Sequence, residues 1–333
     1  MYEIIYEKRG ISMPGYVTHY IFGKDIYDQM RDSPFKQNIY RNRAVYSLGQ
    51  QGPDIFFYYL PAYILHGHNL GHMAHAQHTG TFFSALLESR NDFKKASELA
   101  IADAYLAGFL GHYILDTTCH PFIYGRTHFH GRSNDYFSRH AYLETEIDTA
   151  LLKQKLHRNR HDFHAENTIH LTLRQQRVVA HMLHYAYQHT YKGLFVSRYT
   201  IFMAIFATQL GFRILYDKTG QKKVLFRLAE KHFLGYPVFS PLIENDSLSF
   251  RTDPLNLQHK KWMNPWDPSI VSDASFFDLY AKSEAAYKCR LRELVRLLRE
   301  HTSSDHYKIK KEPFLQKYGN NSFHSGLDCS IPT

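Results

Sequence analysis

The stretch from Ala102 to Pro121 sets His112, Asp116 and His120 four residues apart in an otherwise apolar run, Ala104-Tyr-Leu-Ala-Gly-Phe-Leu-Gly-His-Tyr-Ile-Leu-Asp116. Ala and Leu dominate, and no proline intervenes before Pro121, so the run predicts a helix despite its glycines. Each four-residue step turns an α-helix by about 40°, so the three side chains form one narrow stripe. A helix this apolar has to be buried, and buried polar groups need partners. Either the stripe satisfies itself by hydrogen bonds, or it holds a metal ion. Chance seldom supplies the triplet, even in a chain with 23 His among 333 residues.

The rest of the chain can surround such a helix. Its length suits one large domain or two small ones, and 44% hydrophobic with 15% aromatic residues is ample for a core. A net charge of +9 with His neutral suits phosphate-bearing partners, lipid head groups or nucleic acid. The charge is scattered rather than gathered in a Lys/Arg block, as on any soluble basic surface. Cys119, Cys289 and Cys329 make no disulfide framework. The opening Met1 to Gly10 lacks the apolar core of a signal peptide. No run reaches the roughly 18 apolar residues of a membrane span. These features predict a soluble cytoplasmic protein without a transmembrane segment; a secreted protein shorn of its leader would read alike.

In chain order, a lead-in ends at Pro14-Gly15, and a helix follows through Met30 with Thr18 as N-cap and His19 in the first turn. Asn38 to Leu48 reads as a second helix. Gly52-Pro53 breaks it and leaves Asp54 on a turn, as an N-cap or a catalytic base. Five histidines, His66, His68, His72, His75 and His78, crowd the next stretch, and His68, His72 and His75 share a helical face. Thr81 to Glu88 is an amphipathic helix. Pro121 closes the central helix. Tyr124 to Asp135 reads as a loop carrying His128 and His130. In the next helix His140 and Glu144 share a face, with Asp148 one turn on; this is a two-ligand arrangement or an intrahelical hydrogen bond. Helices follow at 172–191, 197–216, 222–232 and 275–301, with a long loop over 235–272 and no useful β-alternation. The expected architecture is all-α, a single multi-helix domain over 1–301 with a loose polar tail over 302–333.

Thr18-His19, Gly52-Pro53-Asp54, Gly108 to Pro121 and His140-Ala-Tyr-Leu-Glu144, in this order, resemble the zinc-dependent phospholipase C family over residues 13 to 150. A looser likeness runs from Trp262 to Leu291. The resemblance implies an all-helical fold with two or three zinc ions. One zinc would take His112, Asp116 and a histidine of the 68–75 stretch: His75 by preference, with His72 or His68 as replacements. A second would take His120, His140 and Glu144. The third is held in secreted members by a mature N-terminal Trp, the position of His19 and a carboxylate matching Asp116. Here the chain reads Met1-Tyr2 and reaches His19 after a longer lead-in. Asp54 matches the family's general base. The implied function is hydrolysis of phospholipid head groups by metal-activated water, with transient membrane-surface contact. Single-strand-specific zinc nucleases share the fold and ligand plan, so nucleic acid is the alternative substrate. A non-catalytic metal-binding relative is the third reading. Phe56, Tyr58 or Tyr124 could wall a lipid pocket or stack on bases.

Overall fold

The computed structural model describes residues 15–127, 136–233, 235, 237, 240–243, 253–300 and 304–330. His128, His130 and the lead-in before Gly15 lie outside them. The fold is all-α. In chain order its helices are α1 (Tyr16–Gln29), α2 (Pro34–Arg41), α3 (Arg43–Gly49), α4 (Leu60–His66), α5 (Leu70–Ala76), α6 (Thr79–Ser89), α7 (Ala96–Arg126), α8 (Tyr136–Leu156), α9 (Leu173–Thr190), α10 (Arg198–Leu215), α11 (Gln221–Phe233), α12 (Phe276–Leu298) and α13 (Asp305–Tyr318). Among the described residues the strands are β1 (Trp262–Asn264) and β2 (Asp267–Ser272), an antiparallel pair.

Helix α7 is the axis. It spans 31 residues and is buried almost continuously from Ile101 to Tyr124. Helices α1, α3, α9 and α12 pack around it. Its glycines permit the closest of these approaches. A Cβ on Gly108 would fall closer than 3.0 Å to the carbonyl of Tyr46 and to the Cα of Gly49 on α3. The obstructing atoms are backbone, so neither helix can yield by a rotamer change. Gly108→Ala is therefore expected to destabilise the fold by about 3 kcal/mol, the upper range for overpacking. Urea unfolding checks this, and a loss below about 1 kcal/mol would mean the helices can separate freely.

Four local expectations are corrected. The central helix does not close at Pro121 but runs on to Arg126. An internal proline costs roughly 3 kcal/mol, whereas burying Phe122, Ile123 and Tyr124 returns about 1.5–3 kcal/mol for each large side chain. The proline leaves the Thr117 carbonyl without its helical amide, and Gly326, at φ +67°, packs directly against that carbonyl. The helix expected over 38–48 is two helices, split at Asn42. Thr18 is not the N-cap of α1, which is Gly15. Instead, Asp148 on α8 reaches across and accepts from the amides of Val17 (3.0 Å) and Thr18 (2.8 Å) and from the Thr18 hydroxyl. The loop expected over 235–272 contains the β1–β2 hairpin, whose few residues carry too little alternation to announce it.

The loose tail is the largest departure. Residues 305–318 form α13, capped by the Ser304 hydroxyl, which accepts from the Tyr307 amide. Tyr307, Phe314, Tyr318 and Phe323 belong to the same buried cluster as Tyr16 and α7. Stacking of Tyr318 on Tyr113 (4.0 Å) and Phe83 (4.2 Å) fixes the end of α13. A few aromatic anchors hold this segment, and they produce no periodic signal in an otherwise polar stretch. No helix among the described residues is long and apolar enough to cross a membrane.

Candidate metal centre

Four segments bring their polar side chains to the middle of α7. The stripe of His112, Asp116 and His120 is buried there, as helical spacing requires. Helix α1 delivers His19, a short 3-10 turn over Gly52–Tyr58 delivers Asp54, α5 delivers His75, and α8 delivers His140 and Glu144. All of them are buried. Of the crowded histidines on 66–78, His75 reaches the centre, while His68 and His72 are exposed.

Asp116 lies at the hub. Its Oδ1 is 3.0 Å from His19 Nε2, and its Oδ2 is 3.2 Å from His112 Nε2 and 3.7 Å from both His75 Nε2 and His120 Nδ1. Asp54 Oδ1 lies 2.9 Å from His75 Nε2, and its Oδ2 lies 3.8 Å from His112 Nδ1. Among the described residues, ligand atoms gather within 4.8 Å of one another in the sets His19, Asp54, His112 and His75, His112, Asp116. Asp54 thus sits inside the cluster. Glu144 Oε1 is 3.1 Å from His140 Nε2 and 3.5 Å from His120 Nε2. His120, His140 and Glu144 do not close to the 4.8 Å set; the rings of His120 and His140 stand 6.2 Å apart.

The donor set fits a divalent cation better than it fits itself. Although His75 Nε2 and Asp54 Oδ1 are close, neither makes a hydrogen bond, and the same holds for His112 Nε2, Asp54 Oδ2, Asp116 Oδ2 and Glu144 Oε2. These atoms are near one another without the alignment a hydrogen bond needs. An unmade buried hydrogen bond costs about 1–3 kcal/mol per group, so such a cluster is costly unless something else satisfies it. The far nitrogens are tied down. His75 Nδ1 is 2.7 Å from the Gly71 carbonyl, His112 Nδ1 is 3.0 Å from that of Gln50, and His120 Nδ1 is 2.9 Å from that of Phe323. An Nδ1–H donated to a carbonyl fixes the tautomer and leaves the Nε2 lone pair facing the site, the arrangement of metal-bound imidazoles.

The charges agree. Burial raises the pKa of Asp54 to about 6, partly offset by His75. Burial also pushes Asp116 upward, but His112, His120 and His19 outweigh it and hold the carboxyl well below its usual range. Burial depresses His75 and His120, yet the surrounding carboxylates prevail and lift them to about 10 and about 9. Without a cation, then, burial holds His112 well below its usual range, while the carboxylates draw protons onto His75 and His120. A divalent ion would supply the same positive charge and displace them.

The sequence reading missed the C-terminal contribution. Phe323 accepts from His120 through its carbonyl, donates its amide to the His75 carbonyl (2.8 Å), and packs its ring against His75 (4.8 Å) and His112 (5.3 Å). The bonds are backbone bonds, so no residue type advertises them. Of the three aromatics considered for a pocket wall, Phe56 packs on Tyr187 and Tyr58 on Phe212, while Tyr124 lies against His140 at 4.6 Å.

A buried carboxylate hub ringed by imidazoles from separate helices, in an all-α fold, defines a candidate divalent-metal centre. A family model described as zinc dependent phospholipase C matches residues 18–200, more than half of the chain, and the chain belongs to that family. Its fold and its buried His/Asp groups are those of a zinc-dependent hydrolase. No curated protein and no solved structure matches it.

Proposed function

We propose that this centre hydrolyses the head-group phosphodiester of phospholipids. The observation that carries the reading is the set of buried, close, non-hydrogen-bonded ligand atoms around Asp116. His75, His112, Asp54 and Asp116 would hold one zinc. His120, His140 and Glu144 would hold a second, and His19 with Asp116 would help to hold a third. Bound zinc supplies an acidified water and neutralises charge on the phosphodiester. Asp54 sets Oδ1 2.9 Å from His75 Nε2 and leaves Oδ2 without a hydrogen bond, so one oxygen would face the metal while the other would accept the proton of the attacking water.

Helix α11 supports lipid over nucleic acid. Val224, Leu225 and Leu228 are 56%, 66% and 60% exposed, while Glu230 on the opposite side is 5% exposed and accepts from the Ser240 amide. The apolar face points outward, bordered by the exposed Arg227 and Lys231. Exposed Leu beside Lys and Arg suits an anionic bilayer surface, whereas a single-strand groove pairs its cations with aromatic stacking faces rather than with Val and Leu. Flotation with vesicles of phosphatidylserine and phosphatidylcholine tests this. The double variant Leu225→Asp, Leu228→Asp is expected to bind at least about tenfold more weakly, since each buried Leu is worth roughly 1.5–3 kcal/mol. Equal binding would remove the support for a bilayer.

The decisive test of the centre is a zinc titration of the metal-stripped chain at pH 7 in weak buffer, with an indicator dye. Uptake of two or three zincs should release protons, because His75 and His120 start protonated. Apparent affinity should rise with pH until about 9–10, where these groups lose their protons unaided. Hydrolysis of phospholipid vesicles by the loaded protein, and not of single-stranded DNA, is the expected activity. A chain that takes up no zinc would sink the enzyme reading.

A further inference from the structure

The C-terminal segment 319–330 lies outside the span matched by the family and packs over the centre. Its backbone is held at several points. The His75 and Phe323 bonds described above are joined by Asn264, whose amide donates to the Ser325 carbonyl at 2.9 Å. Within this fixed frame His324 is 8% exposed. Its ring stacks 5.3 Å from that of His75 at 18° and 6.2 Å from that of His120 at 21°. Its Nδ1 is 2.9 Å from the Tyr124 hydroxyl, and its buried Nε2 has no hydrogen-bond partner.

One nitrogen tied and the other bare is the form already seen in His75 and His112. For a residue that only packs, a bare buried nitrogen is a pure cost of about 1–3 kcal/mol, and Phe or Leu would fill the space without it. We propose that His324 is a metal ligand supplied by the C-terminal segment, so that an ion as well as hydrogen bonds fastens the segment over the centre. The assignment rests on the metal-centre reading above.

The test uses the full chain of His324→Cys with Co²⁺ as the probe. A thiolate bound to cobalt gives a near-ultraviolet charge-transfer band. That band is expected in the variant and not in the wild type, whose Cys119, Cys289 and Cys329 set the baseline. A second measurement needs no variant: cobalt loading of the wild type should slow hydrogen exchange over 319–330 by about tenfold or more. His324→Gln should bind cobalt roughly 10–100-fold more weakly. Cobalt uptake with no new band and unchanged exchange overturns this assignment alone. A wild-type chain that takes up no cobalt overturns the metal-centre reading and this assignment with it.

Discussion

Asp116→Asn is expected to strip the centre of metal and abolish hydrolysis. Asn keeps the volume of Asp, so the effect is one of charge and ligation rather than packing. The carboxylate touches His19, His112, His75 and His120 at once, which makes it the hub of the cluster. Loss of a partner behind a ligand already costs 10–100-fold in metal affinity, so loss of the hub should cost more than about 100-fold. Activity should fall by on the order of 10³, as for removal of a main transition-state stabiliser. The metal-free fold should weaken as well. The imidazoles around Asp116 hold its folded pKa well below the unfolded value despite burial. Its charge therefore adds stability above the usual carboxylate pKa, and that contribution fades as pH falls toward the depressed value. The Asn variant should melt lower at pH 7, and the gap should close in acid. Metal content by plasma mass spectrometry with melting curves from pH 7 to pH 3 checks both parts. Wild-type zinc content in the variant would exclude Asp116 from the ligands.

Gly52→Ala is expected to damage the centre from outside its ligand set. Gly52 has φ +50°, and a Cβ there would lie closer than 3.0 Å to the His112 ring. The left-handed backbone alone costs Ala about 1–2 kcal/mol; the clash adds to it, for a total of about 3 kcal/mol. Because the atoms struck belong to His112, metal affinity should fall roughly 10–100-fold. Gly193→Ala is the matched control. Its φ is +80°, and a Cβ would meet nothing within 4 Å. It should lose only the backbone share of stability and none of the metal affinity. Equal metal affinities in the two variants would show that His112 moves aside without consequence.

The two variants mark how far the sequence could be read. The stripe on α7 and the His140–Glu144 pair were legible because helical spacing alone puts residues four apart on one face. The all-α class followed from the absence of alternation. Gly52-Pro53 announced a turn, but its second role, leaving room for His112, concerns an atom sixty residues away. Asp148 was visible only as a neighbour of Glu144 on its helix; capping α1 is a contact between helices. Pro121 misled because the local cost of an internal proline was offset by burial of the residues after it.

What the sequence by itself determined is the chemistry within each helix: which side chains share a face, and that a buried stripe of His and Asp needs partners. The tertiary structure decided which groups meet across helices. It selected His75 from a row of similar histidines, placed Asp54 among the imidazoles, and closed the site with the backbone of Phe323. The physical reason is that spacing along one helix fixes an angle, whereas the distance between helices depends on how closely their backbones approach. Here that approach is set by glycines at contact points and by a C-terminal segment whose bonds to the site are made by peptide groups, which every residue carries.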